Sequence, residues 1–254
     1  MKVVIQNLQF SYRNFSLYVS ELNLESSRVT TVIGPNGAGK TTFLKCLGGI
    51  LPIGKKTVFV DGKDLVKLTG NHRARRICYV PQELASVFNY NVLDFVLMGR
   101  AAYISPFSSP SEEDRAAAEE ALSFVGMEEY RKRQLFELSS GERRLILIAR
   151  ALAQKAEVLL FDEPTTFLDP RHEIEVLELI RKLSSEKGKT LVLTLHDLEM
   201  ATSYSDTLVF MKNGNIVASG KTEEILSESL LEEIYEIKMS ILEFNGRKFI
   251  VKTP

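Results

Sequence analysis

The sequence has 254 residues, 44% of them hydrophobic and 26% charged, which excludes a disordered or low-complexity chain and leaves room for one or two domains of ~150 residues. Its 32 lysines and arginines face 33 acids, a formal charge of -1 that argues against a broad electrostatic footprint for nucleic acid or anionic lipid. No run approaches the ~20 apolar residues of a membrane-spanning helix, and the opening MKVVI lacks the apolar segment of a secretion signal, so the chain reads as cytosolic, with Cys46 and Cys78 as two reduced, buried thiols.

In chain order, Val3 and Ile5, then Phe15, Leu17 and Val19, alternate with polar neighbours and predict antiparallel strands at the N-terminus. The runs VTTVIG, ICYVP, VLLFDEP and TLVLTL are short and continuously apolar, as strands of a parallel sheet covered on both faces must be. Over residues 91–154 the strand signals stop. NVLDFVLMG, SEEDRAAAEEALSFVG and SSGERRLILIARALAQ read there as successive helices, a helical subdomain inserted between strands of the main sheet. Asn213-Gly214 and Asn245-Gly246, each between apolar runs, predict two late hairpins. The predicted architecture is α/β, one domain over 1–254, with 1–84 and 155–254 forming the core and 85–154 the helical subdomain.

Residues 34–42 read GPNGAGKTT, after a strand pattern and before a helical one. This is the phosphate-binding loop G-x-x-x-x-G-K-[ST]. Its glycines let backbone N–H groups close around phosphate oxygens, Lys40 reaches the terminal phosphates and Thr41 ligates Mg²⁺. Gly34, Pro35, Asn36, Gly37, Ala38, Gly39, Lys40, Thr41 and Thr42 are therefore the candidate nucleotide contacts. Asp162 and Glu163 end a buried strand, where α/β sheets bind ligands; Asp162 is assigned to the metal and Glu163 to the attacking water. His196 follows TLVLTL at another strand end, able to donate to the γ-phosphate, whereas His72 in HRARR and His172 after Pro170 read as solvent-facing.

LSSGE at 138–142 opens a helix, with Ser139 and Glu142 in capping-box spacing. Capping does not require Gly141, and a glycine there lets a second anion approach backbone amides.

The order Tyr12, GPNGAGKTT, Gln82 in YVPQ, LSSGE, VLLFDEP, Leu168-Asp169 and His196 in TLHD resembles the nucleotide-binding subunit of ATP-binding cassette (ABC) transporters over nearly the whole chain. The resemblance implies a P-loop NTPase with a RecA-like mixed sheet, an N-terminal antiparallel β-subdomain and an inserted α-helical subdomain. It also implies a head-to-tail homodimer, each ATP with its Mg²⁺ lying between the phosphate loop of one chain and the signature of its mate. Ser139 and Gly141 would then contact the γ-phosphate across the interface, Asp169 would make a cross-dimer contact, and Gln82 would be the sensor beside Mg²⁺. Tyr12 would stack on adenine. Ser140 and Glu142 depart from the usual LSGGQ; Ser140 then needs a negative φ, and Glu142 puts a negative charge near polyphosphate while keeping the cap.

Such an ATPase works peripherally, at the cytoplasmic face of the cell membrane, docked on a separate transmembrane permease dimer and served indirectly by a substrate-binding protein. VLDFVLMGRAAYISPFSSPSEED, LDPRHEIEVLELIRKL and the tail LLEEIYEIKMSILEFNGRKFIV look like importer subunits for iron siderophores, haem or cobalamin, with molybdate or tungstate importers and exporter ATPases as alternatives. A nucleic-acid or ribosomal cassette is disfavoured by the lack of net positive charge and of sustained heptads. Residues 82–100 are the candidate docking surface, with Phe88, Tyr90 and Phe95 either anchoring the partner or filling the subdomain's core.

Overall fold

A computed structural model describes residues 2–12, 14–83, 89–244 and 247–252. In chain order its elements are β1 (Val3–Tyr12), β2 (Phe15–Leu24), β3 (Val29–Ile33), α1 (Lys40–Leu47), β4 (Val58–Val60), β5 (Lys63–Asp64), α2 (Gly70–Ala74), β6 (Ile77–Val80), α3 (Val92–Leu97), α4 (Glu112–Phe124), α5 (Ser140–Ala153), β7 (Val158–Phe161), α6 (Pro170–Ser185), β8 (Thr190–Thr194), α7 (Leu198–Tyr204), β9 (Thr207–Lys212), β10 (Asn215–Lys221), α8 (Thr222–Ile225), α9 (Glu228–Tyr235), β11 (Met239–Phe244) and β12 (Arg247–Lys252). Ten strands form one mixed sheet in the order β5-β4-β1-β2-β10-β9-β3-β8-β7-β6, and β11 pairs with β12 apart from it.

Strands β3, β8, β7 and β6, the four continuously apolar runs, are parallel to one another, and β9, one arm of the first predicted hairpin, also pairs parallel with β3. Every residue of β3, β7 and β8 is buried, and alternate side chains feed two cores. Val158, Leu160, Val192 and Val209 face Phe43, Leu44 and Leu47 of α1, while Leu159, Phe161, Leu191 and Leu193 face the cluster that includes Ile146, Ile148 and Ala149 of α5. Burying each large side chain stabilises the fold by ~1.5–3 kcal/mol relative to leaving it exposed. The N-terminal strands are antiparallel, β1 with β2 and β4. Asn213 and Gly214 both have positive φ, 48° and 76°, the requirement of a two-residue hairpin turn. The second predicted hairpin forms as β11 and β12, although Asn245 and Gly246 lie outside the described residues.

Between β6 and β7 the described residues hold α3, α4 and α5 and no strand, and these helices pack on one another. A buried ion pair fixes the group: Arg100 Nε donates to Asp114 Oδ1 at 2.9 Å and Nη1 to the Ala153 carbonyl at 2.9 Å. Of the two readings of these rings, the structure supports the core-filling one for Phe95 and Tyr90. Phe95 is buried in the core and Tyr90 packs against it, because Val92, Phe95 and Val96 form the apolar face of α3; Phe88 lies outside the described residues. Cys46 and Cys78 are free and buried, and no described helix is long and apolar enough to cross a membrane.

Candidate functional site

Among the described helices of eight or more residues, α1 alone starts without a side-chain cap. α4, α5, α6 and α9 use Ser111, Ser139, Asp169 and Ser227, whereas α1 has Gly39 in the capping position, with φ 99°, and no acid in its first turn. The first N–H groups of α1, with the dipole behind them, are therefore left for an anion from outside the chain. Gly39 is required twice over: φ of 99° disfavours any side chain, and a Cβ there would lie 2.4 Å from Phe15 Cζ. Lys40 is buried, and its ammonium donates to the carbonyls of Gly34 at 2.8 Å and Pro35 at 3.1 Å. Burial pushes its pKa down, with the carboxylates of Glu163 and Asp162 working against that shift.

Asp162 and Glu163 stand at the carboxyl end of β7, as the sequence requires. Asp162 is held by three neutral hydroxyls. Thr41 Oγ1 and Thr194 Oγ1 each donate to Oδ1 at 2.9 Å, and Tyr79 donates to Oδ2 at 2.8 Å. Burial and this bond to a carboxylate push the Tyr79 phenol far up, so it stays a donor. Glu163 has a left-handed backbone, φ 48°, and its N–H donates to Thr194 Oγ1 at 2.8 Å. Its side chain accepts from Gln82 Nε2 at 2.7 Å and from Thr166 Oγ1 at 3.1 Å, and Oε1 is paired with His196 Nε2. A strained backbone of this kind costs ~1–3 kcal/mol and persists only when its surroundings over-determine it. One cavity is lined by Phe15, Asn36, Gly37, Gly39, Lys40, Thr41, Thr42, Glu163 and His196.

Tyr12, Gln82, residues 139–142 and Asp169 do not line this cavity. Tyr12 pairs across the hairpin with Phe15 and is 59% exposed. Gln82 reaches Glu163 from the end of β6, and its carbonyl and that of Pro81 accept from the buried guanidinium of Arg144 on α5. Residues 139–142 form the start of α5 and line no part of the cavity. The Glu142 N–H donates to Ser139 Oγ at 3.2 Å, and Glu142 Oε2 accepts the Ser139 N–H at 2.7 Å, a complete capping box. That backbone N–H is the main cause holding the Glu142 carboxyl below the usual range, so its charge is spent on its own helix. Ser140 is the first residue of α5 and is not among the residues of positive φ, so it adopts the needed backbone without strain. Asp169 caps α6, accepting from the N–H groups of Arg171 and His172. His172, expected in solvent, is half-buried instead, because α6 lies beside the start of α5, and its Nδ1 sits 2.6 Å from Asp169 Oδ2. His72 is exposed as expected. Sequence reasoning missed Thr194, Tyr79, Phe15 and Arg144; the available signals were a threonine closing an apolar strand two residues before His196 and a phenylalanine three residues after Tyr12.

The ABC transporter family matches residues 17–166 of the sequence. The chain belongs to this family. An uncharacterised ABC transporter ATP-binding protein of Methanocaldococcus jannaschii is 38% identical over 235 residues, 92% of this chain and 81% of that protein. The iron(3+)-hydroxamate import ATP-binding protein of Bacillus subtilis is 35% identical over 226 residues, 88% and 84% of the two chains. Among solved structures, an ABC transporter of metal-chelate type in an inward-facing conformation superposes with a TM-score of 0.85 at 31% identity, covering 99% of this chain and 96% of that one. A dimeric bacterial ABC transporter cassette gives 0.73 at 26% identity, covering 87% and 98%. The chain is thus an ABC transporter ATP-binding protein, an ATPase, and the mixed sheet with its antiparallel N-terminal strands and helical subdomain is the ABC ATPase fold.

Proposed function

We propose that this ABC ATPase powers uptake of a metal chelate, an iron siderophore, haem or cobalamin, through a separate transmembrane dimer on whose cytoplasmic side it sits. Support comes from the import protein of Bacillus subtilis and from the metal-chelate type transporter, similar to this chain over 88% and 99% of its length. The helical segment 85–154 and the core segments 1–84 and 155–254 are the two working parts of the proposed engine. Two copies close head to tail on ATP, a reading supported by the dimeric cassette among the similar structures.

The observation that carries the chemistry is Glu163, held by Gln82, Thr166 and His196 beside Lys40 and the phosphate loop. The β- and γ-phosphates lie on the free N–H groups of α1, with the Lys40 ammonium turned from its loop carbonyls to the anion. Phosphoryl transfer to water needs mainly positioning and charge neutralisation. Glu163 takes the water proton, His196 donates to a γ-phosphate oxygen, and Gln82 connects Glu163 to the transmembrane partner. Tyr12 and Phe15 offer faces to the adenine and ribose end. Ser139, Ser140, Gly141 and Glu142 of the second copy cover the γ-phosphate, and Asp169 meets that copy.

The residues present fit Mg²⁺. The donor set is hard oxygen, and the Thr41 hydroxyl spends its proton on Asp162, which leaves its lone pairs for a cation. Thr41, Asp162 and Gln82 would hold the ion. When bound, it supplies neutralisation of charge on the phosphate oxygens.

Glu163→Gln tests the reading. The variant should bind ATP as tightly as the wild type, lose turnover and accumulate as an ATP-bound dimer on size-exclusion chromatography. Undiminished hydrolysis removes Glu163 from the role. Copurification of the wild type with a transmembrane pair and a receptor for a metal chelate tests the direction and class of transport.

A further inference from the structure

One side chain touches two loops that belong to different elements. His172 lies in the first turn of α6, with Nδ1 2.6 Å from Asp169 Oδ2. Its ring faces the start of α5 so closely that a Cβ on Gly141 would stand 2.6 Å from Cδ2, 2.8 Å from Cγ and 3.1 Å from Nε2. Gly141 is itself buried. Capping explains neither contact. Asp169 Oδ1 already accepts the N–H groups of Arg171 and His172, and Ser139 with Glu142 completes its box without Gly141. The imidazole adds a spacer, anchored at one end by a carboxylate and pressed at the other against glycine backbone. Donation of Nδ1–H to Asp169 fixes its tautomer and the plane of its ring.

We infer that His172 is a positioning residue, setting the distance between the turn at 139–142 and Asp169. Both groups meet the second copy in the reading above, on which this inference rests. Two loops that must fit one partner together cannot be set independently, and a misplacement of about 1 Å in such an arrangement costs about a hundredfold in rate. Gly141 is then required by its own chain, because the space over it is filled by His172, as well as by any anion on its other side.

Three variants of the full chain separate the parts. His172→Asn keeps a donor for Asp169 without a ring over Gly141, His172→Phe keeps a ring without the donor, and His172→Ala keeps neither. At high dilution all three should bind ATP within about twofold of the wild type, since the phosphate loop is untouched. At saturating ATP, kcat should fall about tenfold in His172→Ala and at least about threefold in each of the others. The protein concentration giving half-maximal rate should rise in parallel. A merely structural role predicts instead a lowered thermal midpoint and a kcat that recovers on cooling. That result, or a kcat for His172→Ala within about twofold of wild type at equal folded fraction, overturns the inference. Failure of the underlying reading looks different: the wild type itself would turn over at a rate per mole independent of its own concentration.

Discussion

Thr194 is the residue on which the two acids of the site depend together, and Thr194→Val isolates that dependence. Valine matches the shape of threonine and removes one O–H and its lone pairs. Asp162 then loses one of its three hydroxyl donors, and the Glu163 N–H loses its acceptor. Thr194 has no exposed surface, so water does not replace either bond. A hydrogen bond to a charged group is worth ~1.5–3 kcal/mol and an orphaned buried N–H costs ~1–3 kcal/mol, while the added methyl returns ~0.8 kcal/mol. The net loss is about 2–5 kcal/mol, which at ~2–4 °C per kcal/mol is plain in a thermal melt. Function should suffer separately. The left-handed backbone of Glu163 is fastened by that same N–H, so its release lets the carboxylate swing away from Gln82 and His196, and hydrolysis should fall at least about tenfold. Thr194→Ser keeps the hydroxyl and should retain most of the rate. A valine variant that loses under about 1 kcal/mol and hydrolyses ATP at the wild-type rate would refute the account.

Two further outcomes follow from burial and charge. The Asp114 carboxyl is held below its usual range first by the Ser111 hydroxyl and backbone N–H, with Arg100 adding to them. A depressed folded value contributes its stability in full above the unfolded value of ~3.9 and loses it as pH falls through the folded one. Asp114→Asn should therefore melt well below the wild type at neutral pH and converge on it below about pH 4; a gap that stays constant through that range contradicts the assignment. Burial pushes both the Cys46 and the Cys78 thiol up to about 12, so an alkylating reagent at mildly alkaline pH should modify neither in the folded chain and both after unfolding, as counted by mass spectrometry.

The sequence was informative where chemistry is local. VTTVIG, VLLFDEP and TLVLTL announce doubly covered strands because no half-exposed strand tolerates such runs, and GPNGAGKTT between strand and helix leaves few alternatives to a phosphate loop. Thr194 was hidden by its own aptness for a strand, since threonine in an apolar run reads as a β-former until a neighbouring strand puts an aspartate beside it. Tyr79 was hidden in the same way. His172 was misread because half-burial of a residue in a first helical turn depends on what passes nearby, and α5 is distant in sequence. The aromatics of residues 82–100 had two readings, and only the face that α3 turns inward decided for Phe95.

Arg144 gives helix α5 a mechanical role beyond its first turn. Two residues after Glu142, it grips the carbonyls of Pro81 and Gln82, so a stiff rod carries the serine-glycine turn at its tip and a handle on the sheet's edge strand close behind. A tilt of that rod cannot leave Gln82 where it was without breaking two hydrogen bonds, and Gln82 in turn holds Glu163. The start of α5 and the Glu163 carboxylate are thereby joined by one unbroken chain of contacts through Arg144 and Gln82.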